Sequence, residues 1–202
     1  MMQLLGKHPS FPAIYGVVIQ DDHLALVTEF LGDELTSRPL SLTDALQGKR
    51  PLELSQGEWN DIAQDIVDGM WYMHQCSLLH HDIKTDNILL VESATRWEAR
   101  IIDFGQCKQS KEQLVVPLHE KITPRWGMMA ARLHWTTFSD IYSVGKILLL
   151  IGQHGNVPSL TEGGLSLKKS ANLSKEPSDD EKYPQMEIVR FQLRNKSRKM
   201  WH

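Results

Sequence analysis

Cysteine is scarce in this chain: only Cys76 and Cys107 occur in 202 residues. Two thiols cannot build a disulfide framework, and their separation fits no metal-ligand spacing. A reducing, intracellular setting is expected. Long hydrophobic runs are also missing. The most apolar stretch, Ile147 to Ile151, is far shorter than the ~20 residues that cross a bilayer. The opening MMQLLGKHPS lacks the apolar core of a signal peptide. Nor does one sign of charge dominate, since 22 Lys and Arg oppose 25 Asp and Glu for a net charge of -3. No overall field draws in nucleic acid. The expectation is a soluble, cytoplasmic protein with neither nucleic acid nor membrane as partner.

What is present is ordinary for a globular chain. Hydrophobic residues at 41% and charged ones at 23% can form a core. The length suits one domain or two small lobes, and no internal repeat is evident. Two β-branched runs, residues 13–19 and 24–30, flank Asp21-Asp22 and predict a hairpin. Ser55-Gln56-Gly57-Glu58 fits a capping box. After it Trp59, Ile62, Ala63, Ile66, Val67, Met70 and Met73 recur at spacings of three and four, which predicts a helix over 55–76 with a core-facing stripe. Short strands are expected at 88–91 and 100–102, around a polar turn at 92–95. Another helix begins near Ser139-Asp140 and carries Ile141, Val144, Ile147, Leu148 and Ile151. Residues 152–184, rich in Gly, Ser, Pro, Lys and acidic residues, are expected to be disordered or loosely packed. The basic 186–202 segment suggests a short helix.

The chemistry concentrates in His80-His81-Asp82-Ile83-Lys84-Thr85-Asp86-Asn87, followed after a short strand by Asp103-Phe104-Gly105. These stretches resemble the catalytic loop, H-R-D-x-K-x-x-N, and the metal-binding D-F-G of the protein kinase family. Other segments resemble the family in the same order. They are 7–12 (a loop ahead of the fourth strand), 27–32 (the hinge), Thr123-Pro124-Arg125-Trp126 (a substrate-positioning loop) and 139–145 (the large lobe's central helix).

The resemblance implies an α+β, two-lobed fold, with a partial small β lobe and a mainly α-helical large lobe. A partial kinase domain would span 1–151, with 1–32 as small-lobe remnant and hinge and 33–151 as large lobe; 152–202 would be a tail. It also implies an enzyme that uses ATP and Mg²⁺ to phosphorylate Ser or Thr hydroxyls of a protein substrate. Asp82 would orient the substrate hydroxyl, and Lys84 would stabilise charge on the transferring phosphoryl group. Asn87 and Asp103 would supply hard oxygen ligands to Mg²⁺. Backbone groups of Glu29 and Leu31 would hold adenine, with Thr28 behind it and Leu89 beneath it. His80 and Phe104 would pack below the site. Lys84 and Thr123 favour Ser/Thr over Tyr specificity.

Three departures accompany the resemblance. The residues given contain no G-x-G-x-x-G loop before the hinge, no V-A-I-K-type lysine and no partner glutamate. On that basis weak nucleotide binding and little turnover are expected. His81 stands where Arg commonly reads a phosphate on the activation segment, and neutral imidazole lacks the charged fork of Arg; Ser110 remains a candidate phosphosite. Gly127-Met128-Met129-Ala130 replaces the family's A-P-E. A non-catalytic kinase-like interaction module is thus the second reading. A small-molecule phosphotransferase of the aminoglycoside or choline kinase type is the third, disfavoured by Lys84 and Phe104-Gly105.

Overall fold

The computed structural model describes residues 6–20, 23–32, 37–50, 52–109 and 137–173. The expected hairpin forms from β1 (Ile14–Gln20) and β2 (His23–Thr28), paired antiparallel from Ile14↔Thr28 to Gln20↔His23 with an irregularity between Ile14 and Gly16. Its side chains are largely in solvent, Tyr15 at 72% and Ile19 at 75% exposure. The hairpin is tied back by the main chain, because Glu29 N–H donates to the carbonyl of Ala13 at 2.7 Å.

A short element that sequence periodicity does not betray follows. Strand β3 (Leu40–Ser41) runs into α1 (Leu42–Leu46), whose first turn is capped by the Ser41 hydroxyl accepting from Asp44 N–H. Gly48, at φ +65°, stops this helix, with Gly48 N–H donating to Ala45 O at 3.2 Å and Lys49 N–H to Asp44 O at 3.1 Å. The left-handed conformation that glycine adopts freely closes both bonds.

Helix α2 (Gln56–Gln75) carries the capping box its sequence announces, with Ser55 and Glu58 bonded reciprocally. Its stripe from Trp59 to Met73 is buried, with Ile62, Ile66 and Met70 wholly so. Each such side chain contributes roughly 1.5–3 kcal/mol relative to exposure. Strands β5 (Ile88–Glu92) and β6 (Trp97–Ile101) pair antiparallel around a turn closed by Ser93 N–H on Arg96 O at 2.9 Å. Strand β3 joins β5 to give the sheet order β3-β5-β6. Between α2 and β5 lies β4 (Leu78–Leu79), which pairs antiparallel with β7 (Lys108–Gln109) beyond the D-F-G stretch.

Helix α3 (Thr137–His154) begins two residues before the expected start and buries Ile141, Val144, Ile147, Leu148 and Ile151. The next segment corrects the sequence reading. Residues 152–173 are not loosely packed: α4 (Pro158–Leu173) lies against α3 and buries Leu160, Leu167 and Ala171. Its glycines, which suggested looseness, are contact points. A Cβ on Gly164 would sit 2.5 Å from the carbonyl oxygen of Gly145 and 2.7 Å from Leu149 N. Only bare backbone fits there. The remainder of that segment, 174–184, lies outside the described residues.

The core is continuous from α2 through β5 and β6 to α3 and α4. Among the described residues, no helix is long and apolar enough to cross a membrane.

Candidate active site

The loop between β4 and β5 is held from beneath by a residue 60 positions away. Asp140, in the first turn of α3 and 1% exposed, accepts His80 N–H on Oδ2 at 2.8 Å and His81 N–H on Oδ1 at 3.0 Å. His74 of α2 places Nε2 3.1 Å from Asp140 Oδ2. Burial pushes this carboxyl up, but His74 and the His80 N–H together hold it below the usual carboxylate range. A buried anion is thus stabilised by directed donors, and two histidine peptides are fixed in space.

His80 is itself wholly buried. Asp82 N–H points at its Nδ1 (3.4 Å) and its Nε2 lies 3.2 Å from Ile102 O. This arrangement suits a neutral ring with the proton on Nε2. Burial lowers its pKa, outweighing Asp140, Asp82 and Asp103. The ring packs 5.7 Å from Phe104, which in turn meets Phe11 edge-on at 5.6 Å. These contacts anchor the D-F-G stretch to the loop and to residues 8–11. Ser10 of that segment donates through Oγ to Asp65 O at 2.7 Å and accepts Ile101 N–H on its carbonyl at 2.7 Å.

The functional side chains sit on this frame. Lys84 Nζ is 2.6 Å from Asp82 Oδ2. Asn87, at the end of a 3-10 turn (Thr85–Asn87), donates Nδ2 to Asp82 O at 2.8 Å and to Asp82 Oδ2 at 3.1 Å. Its own carbonyl accepts Ile102 N–H at 2.9 Å. Asn87 therefore couples the Asp82 loop to the strand end that carries Asp103. Two residues here, His81 at φ +67° and Asp103 at φ +63°, adopt left-handed backbone. Such strain costs on the order of 1 kcal/mol and persists where surroundings impose it. Asp103 Oδ1 accepts Gly105 N–H at 3.3 Å, and its side chain is open to solvent.

Beside Asp103 opens a cleft of about 540 Å³ lined by Thr28, Glu29, Leu31, Leu89, Asp103 and Phe104 among others. Five of the six residues expected to hold nucleotide and metal thus line one cleft; Asn87 is not among the lining residues, and its backbone carbonyl bonds Ile102, which is. Thr28 Oγ1 donates to Glu29 O at 3.3 Å, using one lone pair of the carbonyl expected to face adenine. The donor set also fits Mg²⁺ chemically. With Asn87 Nδ2 turned to Asp82, the other amide atom is an oxygen, and Asp103 adds a carboxylate. Among the described residues, no group of three or more His, Cys, Asp and Glu could hold a metal alone. Mg²⁺ characteristically takes one or two protein oxygens and completes its shell with phosphate and water.

Thr123, Ser110 and the 127–130 stretch lie outside the described residues. Asp140 and His74 were not assigned roles by sequence reasoning. Their signal was an acidic residue at a helix start otherwise rich in apolar positions, and a histidine on the buried face of α2. The bidentate Arg96–Asp65 pair (2.8 and 2.9 Å), which also takes Ala99 N–H on Asp65 Oδ2 at 3.0 Å, was equally silent.

Comparison with known proteins identifies the family that the motifs resemble. The family model "Protein kinase domain" matches residues 1–187. The chain belongs to the protein kinase family. It is 29% identical over 154 residues to the tyrosine-protein kinase csk-1 of Caenorhabditis elegans, covering 75% of this chain and 27% of that protein. It is 31% identical over 161 residues to the BDNF/NT-3 growth factors receptor of Gallus gallus, covering 75% and 19%. A probable LRR receptor-like serine/threonine-protein kinase of Arabidopsis thaliana, At1g53440, is 32% identical over 152 residues, covering 72% and 14%. The chain spans about a quarter or less of these relatives' lengths, and they include both tyrosine and serine/threonine kinases.

Proposed function

We propose that this chain carries the catalytic half of a phosphotransferase that moves the γ-phosphate of ATP to Ser or Thr hydroxyls of protein substrates. The observation that carries the reading is the coupling made by Asn87, whose side chain holds Asp82 and whose carbonyl holds the residue before Asp103. Catalysis of phosphoryl transfer is mostly positioning and electrostatics, so a fixed relation between these groups matters most.

Asp82 accepts and orients the proton of the incoming hydroxyl. Lys84, ion-paired with Asp82 at 2.6 Å, is close enough to offset charge on the phosphoryl group as it passes. Asn87 Oδ1 and the Asp103 carboxylate are the metal ligands. Mg²⁺, when bound, neutralises phosphate charge. Main-chain groups of Glu29 and Leu31 receive adenine, with Thr28 behind and Leu89 below. The lysine two residues after Asp82 is the feature by which the catalytic loop resembles those of Ser/Thr kinases, and it supports Ser/Thr over Tyr acceptors.

Thermal denaturation of the full chain with and without Mg-ATP tests this. Ligand at about 100 times Kd stabilises by roughly 2.7 kcal/mol, and Asp103→Asn should abolish the metal-dependent part. Phosphate incorporation into Ser or Thr peptides, but not Tyr peptides, is the expected activity. Absence of any Mg-ATP shift would favour the kinase-like interaction module instead.

A further inference from the structure

A second cavity of about 540 Å³ shares Pro39 with the cleft described above. Its lining is Arg38, Pro39, Leu40, Asp44, Lys49 and Arg50. Among the described residues, three cations and one carboxylate line this hollow, although Arg38 stands eleven positions before Lys49. The fold arranges this. The turn at Gly48 sends Lys49 back over the helix it has just left, with Lys49 N–H on Asp44 O at 3.1 Å and Lys49 Nζ on Asp44 Oδ1 at 3.1 Å. Asp44 also accepts from Ser41 Oγ on Oδ2 at 2.8 Å, so both of its oxygens are engaged within the element. Arg38 makes no ion pair with any described residue. The lysine is 62% exposed.

The cluster is tied to the catalytic loop. Thr43 Oγ1 of α1 is 2.7 Å from Thr85 Oγ1, in the 3-10 turn immediately after Lys84. A peptide presenting its hydroxyl to Asp82 would pass near α1. We propose that Arg38 and Lys49, with Arg50 beside them, form a subsite for acidic side chains of the protein substrate, making this kinase selective for Ser or Thr in acidic sequence. The inference rests on the protein-substrate reading given above and adds the substrate class. Arginine forks bind carboxylates bidentately, and a lysine adds a mobile point charge. Surface cations usually face solvent without function; here Arg38, before β3, and Lys49 and Arg50, after α1, are gathered into one concavity by a capped and closed helix.

The test is direct binding, independent of turnover. Fluorescence anisotropy with the full chain would compare a Ser-containing peptide flanked by glutamates with the same peptide flanked by lysines. The glutamate peptide is expected to bind roughly tenfold more tightly, as two exposed ion pairs allow, with the difference collapsing at high salt. Arg38→Glu with Lys49→Glu should abolish or reverse the preference. The milder Arg38→Gln with Lys49→Gln should remove it with circular dichroism unchanged. Lys7→Glu with Lys169→Glu, the same change in net charge elsewhere, should leave it intact. Equal binding of the two peptides, a lysine preference, or a glutamate preference that survives in the Gln variant would overturn the subsite. A selective peptide site without any Mg-ATP binding would instead sink the catalytic reading and leave the subsite standing.

Discussion

Asp140 grips the main chain of His80 from inside the protein, its Oδ2 taking the amide proton at 2.8 Å while its Oδ1 takes that of His81 at 3.0 Å. The strained turn that presents Asp82 is thus suspended from α3, far along the sequence from the loop.

Asp140→Ala should therefore damage stability and site together. The change leaves a buried and a half-buried N–H without an acceptor and removes the carboxylate that His74 Nε2 meets. Each orphaned group costs about 1–3 kcal/mol, so a loss on the order of 3 kcal/mol is expected in urea denaturation. Asp140→Asn keeps one acceptor oxygen and should lose less. Equal stability of the wild type and Asp140→Ala would refute the anchoring role.

Gly164→Val should be severely destabilising although the residue lies far from the cleft. Its Cβ would meet the Gly145 carbonyl oxygen at 2.5 Å and backbone atoms of Leu149, so α3 and α4 must separate. Overpacking of this kind costs typically 1–3 kcal/mol. A fall in melting temperature is expected without change in Mg-ATP affinity at low temperature.

The same contact explains what the sequence concealed. Apolar periodicity and a capping box announce α2, because burial and hydrogen bonding there are local. Helix α4 hides because it docks through glycines, and glycine-rich composition usually signals loose chain. Strands β4 and β7, two residues each, are too short to show alternation. The candidate site was legible for a parallel reason: Asp82, Lys84 and Asn87 lie within six consecutive residues, with Asp103 one hairpin away. Asp140 and the Arg96–Asp65 pair act across long separations that no local pattern encodes. The cations that flank α1 carry no local signal either, because their convergence depends on the turn at Gly48.

Gly48→Ala should cost roughly 1 kcal/mol, the penalty of a side chain in left-handed backbone. Nothing lies within 4 Å of the added Cβ, so the loss is conformational and not steric. Gly48→Asn should recover part of it, since asparagine tolerates this region. Thermal melts of the two variants would separate the causes.

Stability should decline as pH falls below about 6.5. Burial lowers the pKa of His80 and of His81, so the unfolded chain gains protons before the folded one does. Stability is then full above the unfolded value and erodes below it. For wholly buried His80 the loss is on the order of 1 kcal/mol per pH unit. His80→Asn, which retains a donor for Ile102 O, should flatten the slope between pH 7.5 and 5.5. Asp140, held low, contributes only in stronger acid. An unchanged slope in His80→Asn would assign the acid sensitivity elsewhere.

The two acidic residues of the site should fail in different ways. Asp82→Asn preserves an oxygen that can still accept from Asn87 Nδ2 and leaves Asp103 untouched, so nucleotide affinity should stay within about twofold. Phosphate transfer should nonetheless fall by 10²-fold or more, roughly the scale of a lost proton acceptor. Asp103→Asn removes a ligand charge, so metal-dependent nucleotide binding should itself collapse. Isothermal titration with Mg-ATP, run beside a peptide phosphorylation assay, separates the two. If both variants lost binding equally, Asp82 would belong to the metal site and the division of labour drawn from the Asn87 contacts would be wrong.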